Sequence, residues 1–319
     1  MIPVGRRERP AALGLAALLL LLAAAAPGFY APAALRDLLL ANAALLIVAA
    51  GMTLVVLVGH IDVSAGAIFG VSAVIAGALA REGVPVPVAA LAAALVGAGI
   101  GLVNGLLVTR LALPSIVVTL AMLVILRDAL RWTTDGAWIR DLPASFQWFG
   151  LGQDAGRLLV LAAAALVVAA VGWGLRALAA GRALYAVGSD AESARVLGID
   201  PHRVVLGAFA AAGLLSGLAG VLNASRFAEV PGTIPNGLEL EVIAAVVVGG
   251  AAITGGRGSM VGTVLGVALL GAIGTGLTYL GVSAYWERAL QGAIILAAIL
   301  VDTVGPVRRR AAGPAAGHA

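Results

Sequence analysis

"ALLIVAAGMTLVVLVGHIDVSAGAIFG", residues 44–70, decides the fold. An unbroken apolar run leads into Gly59-His60-Ile61-Asp62, and a second run of small and apolar residues leaves it. A helix needs about 20 apolar residues to cross a bilayer. A membrane β-strand would show short segments of alternating polarity instead. Asp62 is the exception to explain, because an Asp at the bilayer centre costs roughly 2.5–3.5 kcal/mol on insertion scales. Two readings stand. Asp62 caps the N–H groups of the helix that follows a break, with Ser64 sharing the task. Or it is a proton relay on a transport path. Capping is the preferred reading, and His60 reads as a hydrogen-bonded boundary residue.

The rest of the chain extends this pattern. Of 319 residues, 61% are hydrophobic and 11% charged, against about 25% charged in soluble domains. The fold class is therefore all-α, a polytopic membrane protein. There is no cysteine, which excludes disulfides, thiolate metal sites and a Cys nucleophile. All 20 basic residues are Arg. A P-loop needs a Lys on the nucleotide phosphates, so this chain carries none. No catalytic triad, catalytic carboxylate pair or metal-ligand cluster is visible, so no catalytic or metal residues are assigned. The Arg excess in so apolar a chain does not point to nucleic acid.

Ten spans are expected, at 11–27, 38–58, 63–80, 86–108, 114–131, 157–176, 203–223, 239–253, 259–280 and 286–304. The third and eighth are short and could be half-helices. "GRRER" near the start and "RRR" at 308–310 favour cytoplasmic termini by the positive-inside rule. This gives a cytoplasmic N-terminus (1–10), a transmembrane domain (11–304) and a disordered cytoplasmic tail (305–319). The first apolar run reads as an uncleaved span rather than a signal peptide.

"GRALYAVGSDAESARVLGIDPHRV", residues 181–204, is the longest expected cytoplasmic loop. Ser189 and Glu192 read as a capping box around Asp190. Gly198 reads as the left-handed residue ending a two-turn helix. Asp200-Pro201 read as N-cap and first residue of the next span. Glu192 and Arg195 share a face. As residues alone, the loop is either a solvated connector containing Ser193 or a docking element for a cytoplasmic partner.

"LEVIAAVVVGGAAITGGRGSMVGTVLGVALLG", residues 240–271, is Gly-rich. Gly97, Gly101 and Gly105 recur every four residues, as do Gly258, Gly262 and Gly266, which suits close helix packing in lipid. Gly255, Gly256, Arg257 and Gly258 break the helix on the cytoplasmic side, where Arg257 meets either lipid phosphates or an acidic partner. Glu239 and Glu241 are placed at the outer mouth of the eighth span. There they either complement a helix dipole or meet a polar solute. In the outer loop 131–152, Trp132, Trp138, Phe146, Trp148 and Phe149 read as membrane-interface anchors, with a platform for an external partner as the alternative.

Four segments, in order, resemble the ribose-type permease family of ABC importers. They are "GHIDVSAGAIFGVSAVIAG" (59–77), "GLVNGLLVTRLALPSIVVTLAML" (101–123), "GRALYAVGSDAESARVLGI" (181–199) and the Gly-rich segment above. Departures from the family pattern are His60, Ala65, Asp190 and Ala251-Ala252-Ile253. The first of these and the outer loop look most like permeases for rhamnose and for the autoinducer-2-type signal.

The resemblance implies a permease subunit in the bacterial plasma (inner) membrane, multi-pass, carrying a monosaccharide or related polyol. It implies three partners besides membrane lipid: a sugar-type ATPase holding ATP and Mg, a second permease copy or paralogue, and an extracytoplasmic sugar-binding protein. No cofactor falls on this chain. Loop 181–204 would dock the ATPase, and Asp62, Ser64, Asn104, Glu239 and Glu241 would mark the helix break or the translocation path. The alternatives are a proton-coupled carrier using Asp62 and a branched-chain amino acid permease.

Overall fold

The computed structural model describes residues 8–234 and 236–282, and beyond these only positions 286, 289, 292 and 293. Eleven α-helices order the main described stretches: α1 (Arg9–Ala25), α2 (Pro32–Leu57), α3 (Ala65–Arg81), α4 (Val86–Arg110), α5 (Ser115–Thr134), α6 (Gln153–Ala177), α7 (Ala179–Ser189), α8 (Ala191–Val196), α9 (Pro201–Ala224), α10 (Leu238–Val248) and α11 (Met260–Tyr279). The first nine expected spans coincide with α1 to α6, α9, α10 and α11. The tenth span, apart from isolated positions, lies outside the described residues, as do residues 1–7 and the tail.

Among the described residues, five helices are long and apolar enough to cross a membrane: α2, α4, α6, α9 and α11. Pro at the first or second position starts α1, α2, α4 and α9, where its missing N–H is no loss. α2 is the buried centre, with Ile47, Val48, Ala49 and Ala50 wholly enclosed. Its Thr53 hydroxyl meets that of Thr263 on α11 at 2.7 Å, a polar link between helices that apolar packing alone would not orient. α6 is peripheral, and α4 packs along α9 over the most extensive helix pair of the bundle. Gly97 and Gly101 of α4 lie directly on the backbone of Phe209, Gly213 and Gly217 in α9.

α3 and α10 are different. At about 1.5 Å per residue, the 11 residues of α10 cover about half of a hydrocarbon core roughly 30 Å thick. The eighth span therefore ends at Val248 rather than 253, because Gly249 and Gly250 (φ +96°) close the helix. The two helices begin inside the bundle and run apart. Gly66 in the first turn of α3 touches Leu238 and Glu239 in the first turn of α10. Non-helical backbone leads into each start; the stretch before α3 is shielded by neighbouring helices, the condition for irregular backbone at membrane depth, whereas the stretch before α10 buries Gly232 and Ile234 and exposes Pro231, Thr233 and Asn236. Along α3, Gly70 packs on Ile234 and Gly77 on Val230, so the segment before α10 runs back along α3.

At the end of the bundle where α5 finishes, loop 135–152 is stitched to that segment. Ile139 and Val230 exchange N–H···O bonds of 2.8 and 3.0 Å, the Trp148 N–H donates to the Ser225 carbonyl at 2.6 Å, and Arg140 pairs with Glu229 at 3.3 Å. The loop aromatics divide. Trp132 and Trp138 are exposed, as anchors would be. Phe146 and Trp148 are buried in the core instead. Trp148 and Phe149 take left-handed φ of +53° and +56°, which costs about 1–3 kcal/mol each and needs firm surroundings; Trp148 seats on Gly156.

Candidate functional site

Asp62 is fully enclosed at the start of α3. Its Oδ1 accepts from the Ser64 N–H at 2.9 Å and the Ser64 hydroxyl at 2.6 Å. Asn104 Nδ2 of α4 donates to Ser64 Oγ at 2.8 Å. The Val63 N–H is taken by Thr119 Oγ1 of α5 at 3.1 Å. The structure thus joins Asp62, Ser64 and Asn104 in one buried network. Asn104 stands six residues before the end of α4, so the network lies about 9 Å inside that helix end. Asp62 caps the turn before α3 rather than the helix's own first N–H groups. His60 lays its ring against Phe209, with centroids 6.0 Å apart.

Glu239 is not at an outer mouth. It is 7% exposed, beside Gly66 and 3.8 Å from Arg127 of α5. The reason is the short α10: its N-terminus starts mid-bundle, so its first-turn acid lands there too. Two helix N-termini, each with partial positive charge, thus converge with a buried acid at each. Asp62 Oδ2, Asn104 Oδ1 and Glu239 Oε2 have no hydrogen-bond partner among the described residues.

Beside this junction a cleft of about 520 Å³ opens between α2, α9, α10 and α11. Asn42, Asn223, Glu241, Thr275 and Thr278 supply its polar lining, and Phe69 an aromatic face. Of the residues singled out in the sequence only Glu241 falls here. Asn42 and Asn223 were detectable in principle, as lone amides in apolar helices. Nothing local in the sequence places them together.

The chain that follows α10 meets the α7–α8 arm. Asp190, not Ser189, caps α8. Its Oδ1 accepts from the Glu192 and Ser193 N–H groups at 3.0 and 3.1 Å, and its Oδ2 from the Ser193 hydroxyl at 2.6 Å. Ser189 is the last residue of α7, because the helix continues one residue further than a capping box would allow. Gly198, at φ +82°, turns the chain after α8, and Asp200 caps α9 through the His202 N–H at 3.0 Å. Ala194 anchors α8 among Val187, Val205 and Phe209. Glu192, Arg195, Val196 and Leu197 face outward, the last two 85% and 77% exposed.

Gly188 of α7 lies on the Leu57 carbonyl and on Gly256, so close that no side chain fits. The Gly256 N–H donates to Leu57 O at 2.8 Å, and the Tyr185 hydroxyl to Gly258 O at 2.9 Å. Gly59 packs on Thr254 and Gly255. Gly255, Gly256 and Gly258 are thus the joint between α7, the end of α2 and the chain after α10, while Arg257 is exposed. Sequence reasoning missed Gly188 and Tyr185, whose role exists only through this contact.

Long apolar helices, interrupted by two half-helices that meet head to head at buried polar groups, define a membrane-embedded permease. The chain belongs to the family described as branched-chain amino acid transport system / permease component, which matches residues 34–299. It is 32% identical over 299 residues to the ribose import permease protein RbsC of Escherichia coli (strain K12), covering 92% of this chain and 93% of the relative. It is 35% identical over 297 residues to the autoinducer 2 import system permease protein LsrC of Enterobacter sp. (strain 638), covering 93% and 86%. With the LsrC protein of Photorhabdus luminescens it shares 36% over 264 residues, covering 81% and 78%. No solved structure matches the chain.

Proposed function

We propose that this chain is the membrane subunit of an ATP-driven importer for a monosaccharide or related small polyol. The α7–α8 arm carries the reading. It presents Glu192, Arg195, Val196 and Leu197 outward, while Gly188 on the same arm is packed onto backbone at both helix breaks. A partner pressing on α8 therefore acts on the supports of α3 and α10 together. An ATPase subunit holding ATP and Mg would dock there, on the cytoplasmic side of the bacterial plasma membrane. A binding protein would deliver solute at the loop 135–152 end, and a second permease copy or paralogue would complete the pathway. Arg257 would face the same cytoplasmic partner or lipid phosphates.

Transport then needs no covalent chemistry from this chain. The ATPase shifts the outward- and inward-facing populations only as far as it binds them differently. The sugar class rests on relatives that match over most of their length, RbsC and LsrC. The LsrC matches favour a furanosyl signal of the autoinducer-2 type as the second reading. A proton-coupled carrier is not favoured, since Asp62 is held as a cap by Ser64.

The test is reconstitution in proteoliposomes with the ATPase and binding protein encoded beside this chain. Labelled D-ribose and autoinducer-2 uptake should require ATP and both partners. Uptake driven by a pH gradient with neither partner would refute the importer reading.

A further inference from the structure

α1 and α11 lie side by side and run the same way. Gly14 of α1 packs on Leu269, Leu22 sits against Gly276, and Phe29, just after α1, stands edge-on to Tyr279 with ring centroids 6.2 Å apart. At the arm end a side-chain bond closes the pair, the Ser259 hydroxyl donating to Glu8 Oε1. Glu8 stands at the N-cap of α1, and its carbonyl accepts from the Ala12 N–H at 3.0 Å. Ser259 caps α11, its Oγ accepting from the Gly262 N–H at 3.0 Å. One hydroxyl thus joins the first turns of both helices. The residue before it, Gly258, accepts from the Tyr185 hydroxyl of α7 at 2.9 Å, and the Tyr185 phenol feels the charges of Arg176 and Glu8. Further along α11, Thr275 and Thr278 stand in the wall of the cleft.

We infer that Glu8 is a positioning residue for coupled transport: it makes α1 and α11 one strut that carries displacement of the joint at Gly258 to the wall of the cleft. Thr275 follows Ser259 by 16 residues, about 24 Å of helix. α11 is poorly suited to carry a load alone. It holds Gly262, Gly266, Gly271, Gly274 and Gly276, and glycine weakens a helix interior. α1, built of Ala and Leu with Gly14 as its single glycine, is the splint. Apolar packing between two helices in lipid leaves their register free to slip, since lipid tails are as apolar as Leu. The Glu8–Ser259 bond fixes that register at the end where the load enters. The inference rests on the importer reading for the source of the load.

The chain has no cysteine, so Thr275→Cys reports on the cleft wall alone. The full chain carrying it, in membranes, is labelled with a small water-soluble maleimide, first by itself and then with the ATPase subunit, ATP and Mg. Adding Glu8→Ala should change the labelling rate of the chain by itself at least about three-fold. Glu8→Gln keeps a side-chain oxygen for the Ser259 hydroxyl and should label like the parent. Ser259→Asp keeps a cap for the Gly262 N–H but sets two carboxylates against each other. It should follow Glu8→Ala, which separates loss of the strut from loss of the α11 cap. With ATPase and ATP, the rate should shift again by at least about three-fold in the parent and in Glu8→Gln, and stay unshifted in Glu8→Ala. Equal rates in Glu8→Ala and the parent overturn the inference, as does a nucleotide shift in Glu8→Ala as large as the parent's. A rate that depends on Glu8 in the chain by itself, with no response of the parent to ATPase and ATP, would instead refute the importer reading and keep the strut.

Discussion

Replacing Gly97 by Ala should loosen the α4–α9 pair on which the buried network rests. A Cβ at Gly97 would lie 2.5 Å from the Gly213 carbonyl oxygen and 3.1 Å from the Gly217 Cα. Relieving the first contact to even 3.0 Å moves the helices apart by 0.5 Å, the difference between these distances. Both neighbours are backbone, so no side chain can swing away. Overpacking of this kind costs about 1–3 kcal/mol, and the rigid neighbours put it at the upper end. Ala gains about 0.8–1.0 kcal/mol over Gly in a helix. The net loss is then about 2 kcal/mol, or roughly 4–8 °C in melting temperature at about 2–4 °C per kcal/mol. Gly99 is the internal control: it is on the same helix and a Cβ there meets nothing within 4 Å, so Gly99→Ala should melt at or above the wild type. Thermal unfolding of the purified protein in one detergent checks both. Because Asn104 follows Gly97 by about 10 Å along α4, ATP-driven uptake should also fall in Gly97→Ala alone. Equal or higher melting of Gly97→Ala than of Gly99→Ala would refute the reasoning.

Asp62→Asn keeps the Oδ1 acceptor for Ser64 and should preserve folding and uptake. Asp62→Ala strands the buried Ser64 N–H and hydroxyl, about 1–3 kcal/mol each, and should lower the yield of folded protein. Normal folding with lost uptake in Asp62→Asn would bring back the proton-relay reading. Gly188→Val should leave ATPase binding intact but abolish coupled uptake, measured by co-purification and transport on one preparation; wild-type uptake would show that the Leu57–Gly188–Gly256 joint is not the link. Leu197→Asp should weaken co-purification of the ATPase subunit about ten-fold or more, with unchanged melting because the side chain is exposed. The Ser193 hydroxyl and N–H, with the Glu192 N–H, hold the Asp190 carboxyl below its ordinary value of 3.8. A depressed folded value means the α8 cap is fully present above pH 3.8 and is lost only as pH falls through the lower folded value. Hydrogen exchange at Glu192 and Ser193 should show no loss of cap protection between pH 7 and 5, and Asp190→Ala should lack that protection throughout.

The two ends of the bundle are built alike. At one end the α7–α8 arm rests on Leu57, Gly255 and Gly256, where α2 finishes and the chain after α10 turns. At the other, loop 135–152 is bonded to Ser225, Glu229 and Val230, which lead toward α10 and lie along α3. A load on either face is thus carried to the half-helices without crossing a long apolar span. The mid-bundle acids and amides stand where those half-helices start.

Sequence by itself determined the solvent and much of the architecture of this protein. Unbroken apolar runs make helices in lipid, and helices α1 to α6, α9, α10 and α11 overlap the first nine expected spans, the eighth cut short at Val248. The Gly97–Gly101 spacing showed a helix contact, because a four-residue step returns to the same face. Gly198 and Asp200-Pro201 announced the ends of helices, since those signals act within a turn. What sequence left open is depth and company. The break at Asp62 was legible as a break, yet only the fold places Asn104 on Ser64, and only the short reach of α10 carries Glu239 from a mouth to the interior. The α8 cap falls on Asp190 rather than Ser189 because Ser189 is still in α7, and the Asp190 carboxylate is the group that reaches the Glu192 and Ser193 N–H. The cleft draws Asn42, Asn223, Glu241 and Thr275 from four helices far apart in the chain. Hydropathy sets that a helix crosses, being a sum over its own residues. Which faces meet is decided by close packing between helices, where a missing Cβ on one must match the backbone of another.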